Sequence, residues 1–196
     1  ARLGVDYESL RAINPNIELI GVQAEPYHPM FNLINQSSEP TGGDRLPEGI
    51  GVFEPGVMTS AMLSGLLDDV VLVSEAQLEN ALALLLQIEK TVVEGAGAAG
   101  LAAVLANRDK FAGKKVGIVL SGGNIDTRLL ANVLLRDLAR SGRLARLRIK
   151  MQDRPGSLFK VAKVFDEHNV NIIEVWHQRI FTSLPAKGLV TDIECE

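Results

Sequence analysis

The sequence predicts two parts of different class, an α/β unit built on a parallel sheet and a smaller α+β module behind it. Up to Ser141, short apolar runs alternate with stretches of helical period, which indicates buried parallel strands joined by helical crossovers. After Gly142 apolar and basic residues alternate with a period of two, as in a half-exposed antiparallel strand. We therefore place the two domains at 1–142 and 143–196, with the boundary near Ser141 to Arg143.

The first elements each have a local signal. Residues 7–13 predict a helix, and 16–22 predict a strand that is entered through an Asn-Pro turn. Two prolines at the start of 25–36 favour a loop that leads into a short helix. The segment 37–51 is rich in Gly, Pro and polar residues and predicts an exposed loop.

Three further signals define the sheet and the helices that cross over it. The almost continuous apolar run 68–74 predicts a strand buried on both faces, and Ser74 with Gln77 forms the capping box of the next helix. The Gly- and Ala-rich run 94–107 predicts a helix that packs at close range inside a core. Residues 114–120 predict another buried strand, which ends on Ser-Gly-Gly-Asn before the next helix. The apolar face of the capped helix consists of Leu78, Leu82, Leu85 and Leu86.

In the second part, the sequence predicts a strand, a helix and two further strands, in that order. A strand over 144–151 leads through the turn DRPGSL into an amphipathic helix over 158–169. Two more strands follow within 170–180 and 186–196. The helix is expected to direct four apolar side chains inward: Leu158, Val161, Val164 and Phe165.

Composition limits the possible functions. The chain has 196 residues, of which 46% are hydrophobic, and a net charge of −4 without long runs of one sign. These properties argue against disorder, a nucleic-acid surface and membrane association, and they favour a small-molecule or protein partner. The one cysteine, Cys195, rules out a disulfide framework inside the chain and fits a reducing cytoplasm, where we expect the protein to reside.

The segment SGGN, Ser121 to Asn124, is the first candidate site. A strand that ends on a hydroxyl and two glycines before a helix can hold the polar edge of a ligand. The same residues are equally explained by a turn in which Asn124 and Asp126 cap the helix.

Three consecutive motifs carry a family resemblance. They are VEGAGAAGLAAVL at 93–105, GKKVGIVLSGGNID at 113–126 and GRLARLRIKMQDRPGSL at 142–158. In order and spacing they resemble the carboxyl-terminal half of threonine dehydratase, also called threonine ammonia-lyase. These pyridoxal-phosphate enzymes share fold type II with serine racemase and tryptophan synthase β, so the resemblance implies that 1–142 is part of such a parallel-sheet catalytic domain.

The resemblance implies a site for pyridoxal 5'-phosphate. In the family, a serine or threonine hydroxyl at the end of this strand hydrogen-bonds the pyridine nitrogen, and Ser121 matches that position. A neutral partner does not hold the nitrogen protonated, which moderates the electron sink and favours β-elimination. Glu94 corresponds to a family glutamate close to the cofactor, although a role as a helix cap is equally open. The expected cofactor-binding residues are Ser121, Gly122, Gly123, Asn124, Glu94 and Gly49, the last within the loop RLPEGIGV.

The second part resembles an ACT-type domain, a ferredoxin-like βαββαβ regulatory fold whose strand-to-helix turn binds an amino acid. DRPG at 153–156 and NVNIIEV at 169–175 match its features, although turn chemistry alone would explain the Pro-Gly pair. We expect the module to be incomplete, because its final helix and strand have no counterpart in the sequence. The expected effector-binding residues are Asp153, Arg154, Pro155, Gly156, Ser157, Leu158 and Asn171.

The resemblance implies an activity of the complete enzyme. It would convert L-threonine, or alternatively L-serine, by loss of the Cα proton and the β-hydroxyl, giving 2-oxobutanoate and ammonia from threonine. An amino-acid effector and a homo-oligomer are also implied. The family's Schiff-base lysine, substrate-carboxylate loop and four-glycine phosphate loop have no counterpart here, so we expect no catalytic residue in this chain, a fragment of a longer enzyme, and no activity of the chain alone.

Other interpretations stay open at this point. A non-catalytic amino-acid sensor would explain the missing lysine but not the retained SGGN. A serine racemase or serine dehydratase would share the cofactor site, but serine racemases usually lack an ACT-like module. No tight metal is expected, because hard cations need several oxygens and Glu25 is the one candidate ligand in GVQAEPYHPM.

Overall fold

The computed structural model describes residues 7–42, 54–180, 183 and 185–196. The chain divides into two compact units, Ala1–Val133 and Leu134–Glu196. This division lies inside a helix that precedes the predicted boundary. None of the helices in the described ranges has the length and apolar character that crossing a membrane requires.

The described residues before the division form two strands and several helices. In chain order the elements are α1 (Tyr7–Ile13), β1 (Ile20–Ala24), α2 (Pro29–Asn35), α3 (Val57–Leu63), β2 (Asp69–Val73), α4 (Glu75–Gln87), α5 (Gly95–Ala106), α6 (Arg108–Phe111) and α7 (Thr127–Arg140), which contains the division. The predicted loop 37–51 has neither helix nor strand at 37–42, and its remainder lies outside the described residues.

Strands β1 and β2 form a parallel pair, with Ile20 opposite Asp69 and Ala24 opposite Val73. The predicted parallel arrangement of these two strands is therefore confirmed. Strand β2 was predicted to within one residue at each end, whereas β1 begins at Ile20 rather than Asn16. A continuous apolar run marks the ends of a buried strand well, whereas a preceding turn such as Asn-Pro does not mark where the strand begins.

The strand predicted over 114–120 is not a β-strand in the structure. The segment pairs with neither described strand of its unit. Its side chains Val116, Val119 and Leu120 are 42%, 44% and 41% exposed. An apolar run predicts burial, but a β-strand also needs a hydrogen-bonded neighbour, and the described residues provide none here.

The core of the first unit lies between the β1–β2 pair and helices α4 and α5. The predicted capping box is confirmed, because Ser74 Oγ accepts from the Gln77 amide at 3.3 Å and Gln77 Oε1 accepts from the Ser74 amide at 2.8 Å. Three of the four predicted leucines are buried on α4, and small residues of α5 complete the core: Leu78, Leu82, Leu85, Ala98, Ala99, Ala102 and Ala103. These small residues confirm the predicted close packing of α5.

The second unit has the predicted order of elements. They are β3 (Ala145–Gln152), α8 (Ser157–Glu167), β4 (Ile172–Gln178) and β5 (Gly188–Cys195). The three strands form an antiparallel sheet in the order β3-β5-β4, so that β5 is central.

Helix α8 packs on the sheet through a narrower apolar stripe than predicted. Phe165 is buried, and Val161 packs against the same cluster, which includes Ile193 of β5. Leu158 and Val164 were predicted to point inward but are 39% and 53% exposed. Val161 and Phe165, four residues apart, lie on the side of α8 that contacts the sheet. Leu158 and Val164 lie at the edges of that contact and remain exposed.

Candidate functional site

Two of the sequence motifs meet where α5 begins. Glu94 is the residue immediately before α5, and its backbone amide donates a hydrogen bond to the carbonyl of Gly122 at 3.1 Å. The half-buried carboxylate of Glu94 lies against the α-carbon of Gly122, since a Cβ added to that glycine would be 2.2 Å from Glu94 Oε1. The structure thus places Glu94 and the SGGN turn side by side.

The backbone of the turn also packs on the first turn of α5. A Cβ added to Gly97 would be 2.3 Å from the carbonyl oxygen of Ser121, a contact that no side chain allows. Gly122 has a φ of +75°, in the left-handed region that favours glycine. Gly97 is a site residue that the sequence reasoning did not name, although the Gly/Ala-rich run indicated close packing of this helix.

Three polar side chains remain available around the turn. Ser121 Oγ is half-buried, and neither it, the Asn124 amide nor the Glu94 carboxylate has a hydrogen-bond partner among the described residues. The side chain of Glu94 makes no capping bond to α5. At the next helix, Asp126 Oδ1 accepts from the Leu129 amide at 2.9 Å, so that helix α7 has its cap without Asn124.

These features fit one edge of a planar heteroaromatic ring. A hydroxyl without a protein partner can serve a ring nitrogen, and the Glu94 carboxylate that packs on Gly122 adds a second polar group beside it. Gly49, the remaining residue of the predicted set, lies outside the described residues and stays a prediction.

The candidate cation ligand Glu25 lies beside a buried histidine. The ring nitrogen Nδ1 of His28 donates to the carbonyl oxygen of Glu25 at 2.5 Å, since a carbonyl can only accept. His28 Nε2 lies 3.6 Å from a carboxylate oxygen of Glu39. Across the described ranges, no group of three or more His, Cys, Asp or Glu side chains is arranged to hold a metal ion.

In the second unit, the DRPGSL segment forms a compact turn between β3 and α8. The amide of Asp153 donates to the Lys187 carbonyl at 2.8 Å, and the Ser157 amide donates to the Arg154 carbonyl at 3.1 Å. Gly156 has a φ of +85° and precedes α8, whose first turn receives no side-chain cap. The left-handed conformation explains why glycine occupies this position. The residues from Asp153 to Leu158 therefore form one compact turn, and their role in effector binding stays a prediction.

Asn171 does not lie with that turn. Its backbone pairs with Glu196, next to the pair of Ile172 and Cys195, whereas the strand before the turn ends with Gln152 opposite Gly188. These two places are at opposite ends of β5, which spans roughly 26 Å at about 3.3 Å per residue. Within one module, Asn171 is thus too distant to share a small ligand with the turn, and its role in effector binding stays a prediction.

Arg179 also lies at this turn, although the sequence did not predict it as a site residue. Its Nε donates to Asp153 Oδ2 at 2.9 Å and its Nη2 to Oδ1 at 3.4 Å. Arg179 follows β4, and the pairing of Gln178 with Val190 puts it at the same end of the sheet as Asp153. No local spacing signals a contact between residues so far apart in the sequence.

An ion pair between two strands of the second unit shifts the pKa values of Asp192 and Arg148. Arg148 donates to both carboxylate oxygens of Asp192, at 2.7 Å and 2.8 Å. This hydrogen bonding, helped by the charges of Arg148 and Arg146, holds the pKa of Asp192 below its usual range against the opposing effect of burial. The same contact raises the pKa of Arg148. In the first unit, hydrogen bonds from Arg11 and from the Leu19 amide lower the pKa of Asp68.

Comparison with known protein families assigns both parts of the chain. Residues 7–122 match the family described as "Pyridoxal-phosphate dependent enzyme", and residues 145–176 match the ACT domain. The first match covers more than half of the chain and includes Glu94, Ser121 and Gly122.

Individual relatives are consistent with these matches. The chain is 34% identical over 190 residues to an L-threonine ammonia-lyase of Thermotoga maritima, which is 96% of this chain and 47% of the relative. Among solved structures, a threonine deaminase from T.th. has a TM-score of 0.55 at 28% identity, covering 61% of this chain and 44% of that one. Maize serine racemase has a TM-score of 0.55 at 27% identity, covering 65% and 42%. The chain therefore spans about half the length of the relatives it matches.

Proposed function

Because the chain belongs to the family of pyridoxal-phosphate-dependent enzymes, we propose that its residues serve the deamination of L-threonine to 2-oxobutanoate and ammonia under the control of an amino acid. The observation that carries this proposal is the convergence of Glu94 and the SGGN turn at the start of α5. The relative from Thermotoga maritima, named an L-threonine ammonia-lyase, and the ACT match support the substrate class and the regulation.

Each residue of the convergence has a separate task. Ser121 Oγ would donate a hydrogen bond to the pyridine nitrogen, and Gly122 and Gly123 would bring the backbone close to the ring. Glu94 holds the turn through its backbone hydrogen bond to Gly122. Pyridoxal phosphate, when bound, supplies an electron sink for the negative charge that develops at Cα of the amino acid. A serine hydroxyl leaves the ring nitrogen without a formal positive charge, which suits elimination of a β-hydroxyl.

The proton at Cα must be moved by a group other than Glu94 and the residues of the SGGN turn. Among the lysines near strands of the first unit, Lys110 forms an ion pair with Asp69, and Lys114 Nζ lies 2.5 Å from Glu18 Oε2. Both amines are thus engaged by carboxylates and not by the SGGN turn. We therefore propose that Glu94 and the SGGN turn provide cofactor contacts, not the catalytic base, and that this chain alone is inactive.

The second unit is proposed as the regulatory module. The turn from Asp153 to Leu158 would receive an amino-acid effector, and its compact hydrogen bonding and the left-handed Gly156 support a preformed backbone surface there. Regulation in this sense requires a coupling free energy between effector and substrate sites.

The proposal also includes a second substrate, a homo-oligomeric state and a cellular location. The likeness to a serine racemase favours L-serine as a second substrate, handled at the same cofactor site. A homo-oligomer is proposed because ACT-type modules commonly associate. A reducing cytoplasm is favoured by Cys195, a buried free thiol.

A chimera tests the catalytic proposal. In it, this chain replaces the 190-residue region that it matches in the Thermotoga maritima enzyme, and 2-oxobutanoate formation from L-threonine is measured after loading with pyridoxal phosphate. We expect threonine deamination, at a rate lowered about tenfold or more by Ser121→Ala and left unchanged by Ser64→Ala, an exposed serine of the same unit. A well-folded chimera that racemises serine without deaminating threonine would replace the proposal with the racemase alternative.

The chain alone supplies the complementary measurement. It is mixed with pyridoxal phosphate, reduced with borohydride and weighed by intact mass spectrometry. We expect no modification of a single specific lysine. A stoichiometric adduct at one lysine would show that a surrogate exists and that the chain is not inert.

A further inference from the structure

We propose that Asp153 and Arg179 form the recognition pair for the effector, and that an α-amino acid binds by exchanging with their ion pair. The effector carboxylate would bind the Arg179 guanidinium, and its ammonium group would bind the Asp153 carboxylate. This inference rests on the regulatory role proposed for the second unit and names the chemistry that the site would recognise.

The two side chains meet although they come from different connections. Asp153 follows β3, and Arg179 follows β4, and both strands end beside the start of β5, at Gly188 and Val190. Two nitrogens of the guanidinium contact the two carboxylate oxygens, at 2.9 Å and 3.4 Å. The pair therefore ties the β3–α8 turn to the segment after β4.

An α-amino acid carries the matching pair of charges. A free amino acid at neutral pH presents one carboxylate and one ammonium group on a single carbon, and the guanidinium fork suits a carboxylate. Exchange replaces one ion pair with two, so that no charge is left without a partner. The effector side chain takes no part in this exchange, which therefore selects the class of ligand and not its identity.

The ion pair is placed where it can open. The Arg179 and Asp153 side chains are 62% and 38% exposed, and ion pairs with such access to water hold weakly. The backbone of Asp153 is held separately, by the 2.8 Å bond from its amide to the Lys187 carbonyl. The carboxylate can therefore turn toward a ligand while the turn keeps its place at the end of the sheet.

Calorimetry on the full chain tests the exchange without catalysis. The probes are L-isoleucine, L-valine, L-serine and L-threonine, followed by the methyl ester and the des-amino acid of whichever binds most tightly. The ester lacks the carboxylate, and the des-amino acid lacks the ammonium group. We expect at least one free amino acid to bind and both analogues to bind at least about tenfold more weakly, because each loses one charged contact.

Three variants separate recognition from folding. Arg179→Gln is expected to weaken binding at least about tenfold, and Arg179→Lys to weaken it less, because lysine keeps the charge but not the fork. Asp153→Asn is expected to weaken binding of the amino acid while strengthening binding of the des-amino acid, since Arg179 is then released. Lys163→Gln is the matched control, because Lys163 is 61% exposed in an ion pair of the same unit, with Glu167.

The outcomes distinguish this inference from the function on which it rests. If an amino acid binds and Arg179→Gln binds it equally well, the recognition pair is wrong and the effector site lies elsewhere. If none of the four amino acids binds, both the recognition pair and amino-acid control are overturned. Threonine deamination by the chimera is decided independently, because it needs no effector.

Discussion

Glu94 and Gly122 are held together by two contacts, a backbone hydrogen bond of 3.1 Å from the Glu94 amide to the Gly122 carbonyl and the packing of the Glu94 carboxylate on the Gly122 α-carbon. The second contact exists because residue 122 has no side chain. Since Glu94 is the residue before α5, the pair also holds the SGGN turn at the start of that helix.

The first prediction concerns Gly122→Ala. A left-handed alanine costs about 1–2 kcal/mol, and the new Cβ would also displace the Glu94 carboxylate. We expect the free energy of unfolding, measured by urea denaturation, to fall by at least about 1 kcal/mol more than in Gly113→Ala. Gly113 has a nearly identical φ of +74° and nothing within 4 Å of an added Cβ, so it isolates the backbone strain. Equal losses in both variants would show that the Glu94 contact is easily rearranged.

The second prediction compares two glycines of α5. Replacing glycine by alanine inside a helix normally stabilises it by about 0.5–1 kcal/mol. At Gly97 we expect a destabilisation of several kcal/mol, because the Cβ would be 2.3 Å from the Ser121 backbone carbonyl. At Gly100 the Cβ would meet Ile118 Cγ2 at 2.5 Å, which is a side-chain atom and can move.

Denaturation of the single and double variants checks this comparison. We expect Gly100→Ala to become milder when combined with Ile118→Ala, whereas Gly97→Ala gains nothing from that second change. Stabilisation by Gly97→Ala alone would mean that Ser121 does not pack on α5 as described.

The third prediction concerns the capping box of α4. Ser74→Ala removes the acceptor for the Gln77 amide, and losses of N-cap side chains cost about 1 kcal/mol. Chemical denaturation should show this loss, while Ser64→Ala should change stability by less than about 0.5 kcal/mol, because the Ser64 hydroxyl bonds a carbonyl within its own exposed turn. A loss of similar size in both variants would contradict a specific capping role.

The fourth prediction is a pH dependence from Asp192. A carboxyl whose pKa is lower in the folded than in the unfolded chain adds stability above the unfolded value, about 3.9 for Asp, and this stability disappears as pH falls through the folded value. Thermal unfolding should therefore show a gap between the chain and Asp192→Asn at pH 7 that narrows toward pH 3. The control is Glu167→Gln, from an exposed pair on α8, for which the gap should be small throughout. A gap for Asp192→Asn that is constant with pH would exclude the Arg148 contact as its source.

Elements with strong local signals were predictable from the sequence. Strand β2 and the start of α4 follow from an apolar run and from the Ser74 and Gln77 pair, each of which acts over a few residues. The meeting of Glu94 with the SGGN turn was also anticipated, but through the family resemblance, because nothing local links residues 94 and 122.

Features that depend on a distant partner were not predictable. The segment 114–120 has the composition of a strand but lacks a described neighbour to pair with. Leu158 and Val164 fit the helical period of α8, yet the width of the buried stripe depends on how the sheet lies under the helix. The contact of Arg179 with Asp153 joins two connections whose proximity is set by the register of β5 with both neighbours.

The central place of β5 also has a consequence for synthesis of the protein. Strands β3 and β4 leave the ribosome before β5, and both form their ladders with β5 rather than with each other. Until that strand has emerged, the earlier two have exposed edges and no sheet to join, so the module can acquire its native pairing only after residues 188–195 have been made. A released chain that stops before residue 188 should therefore be open to protease within residues 145–178, and a chaperone would find its binding sites there.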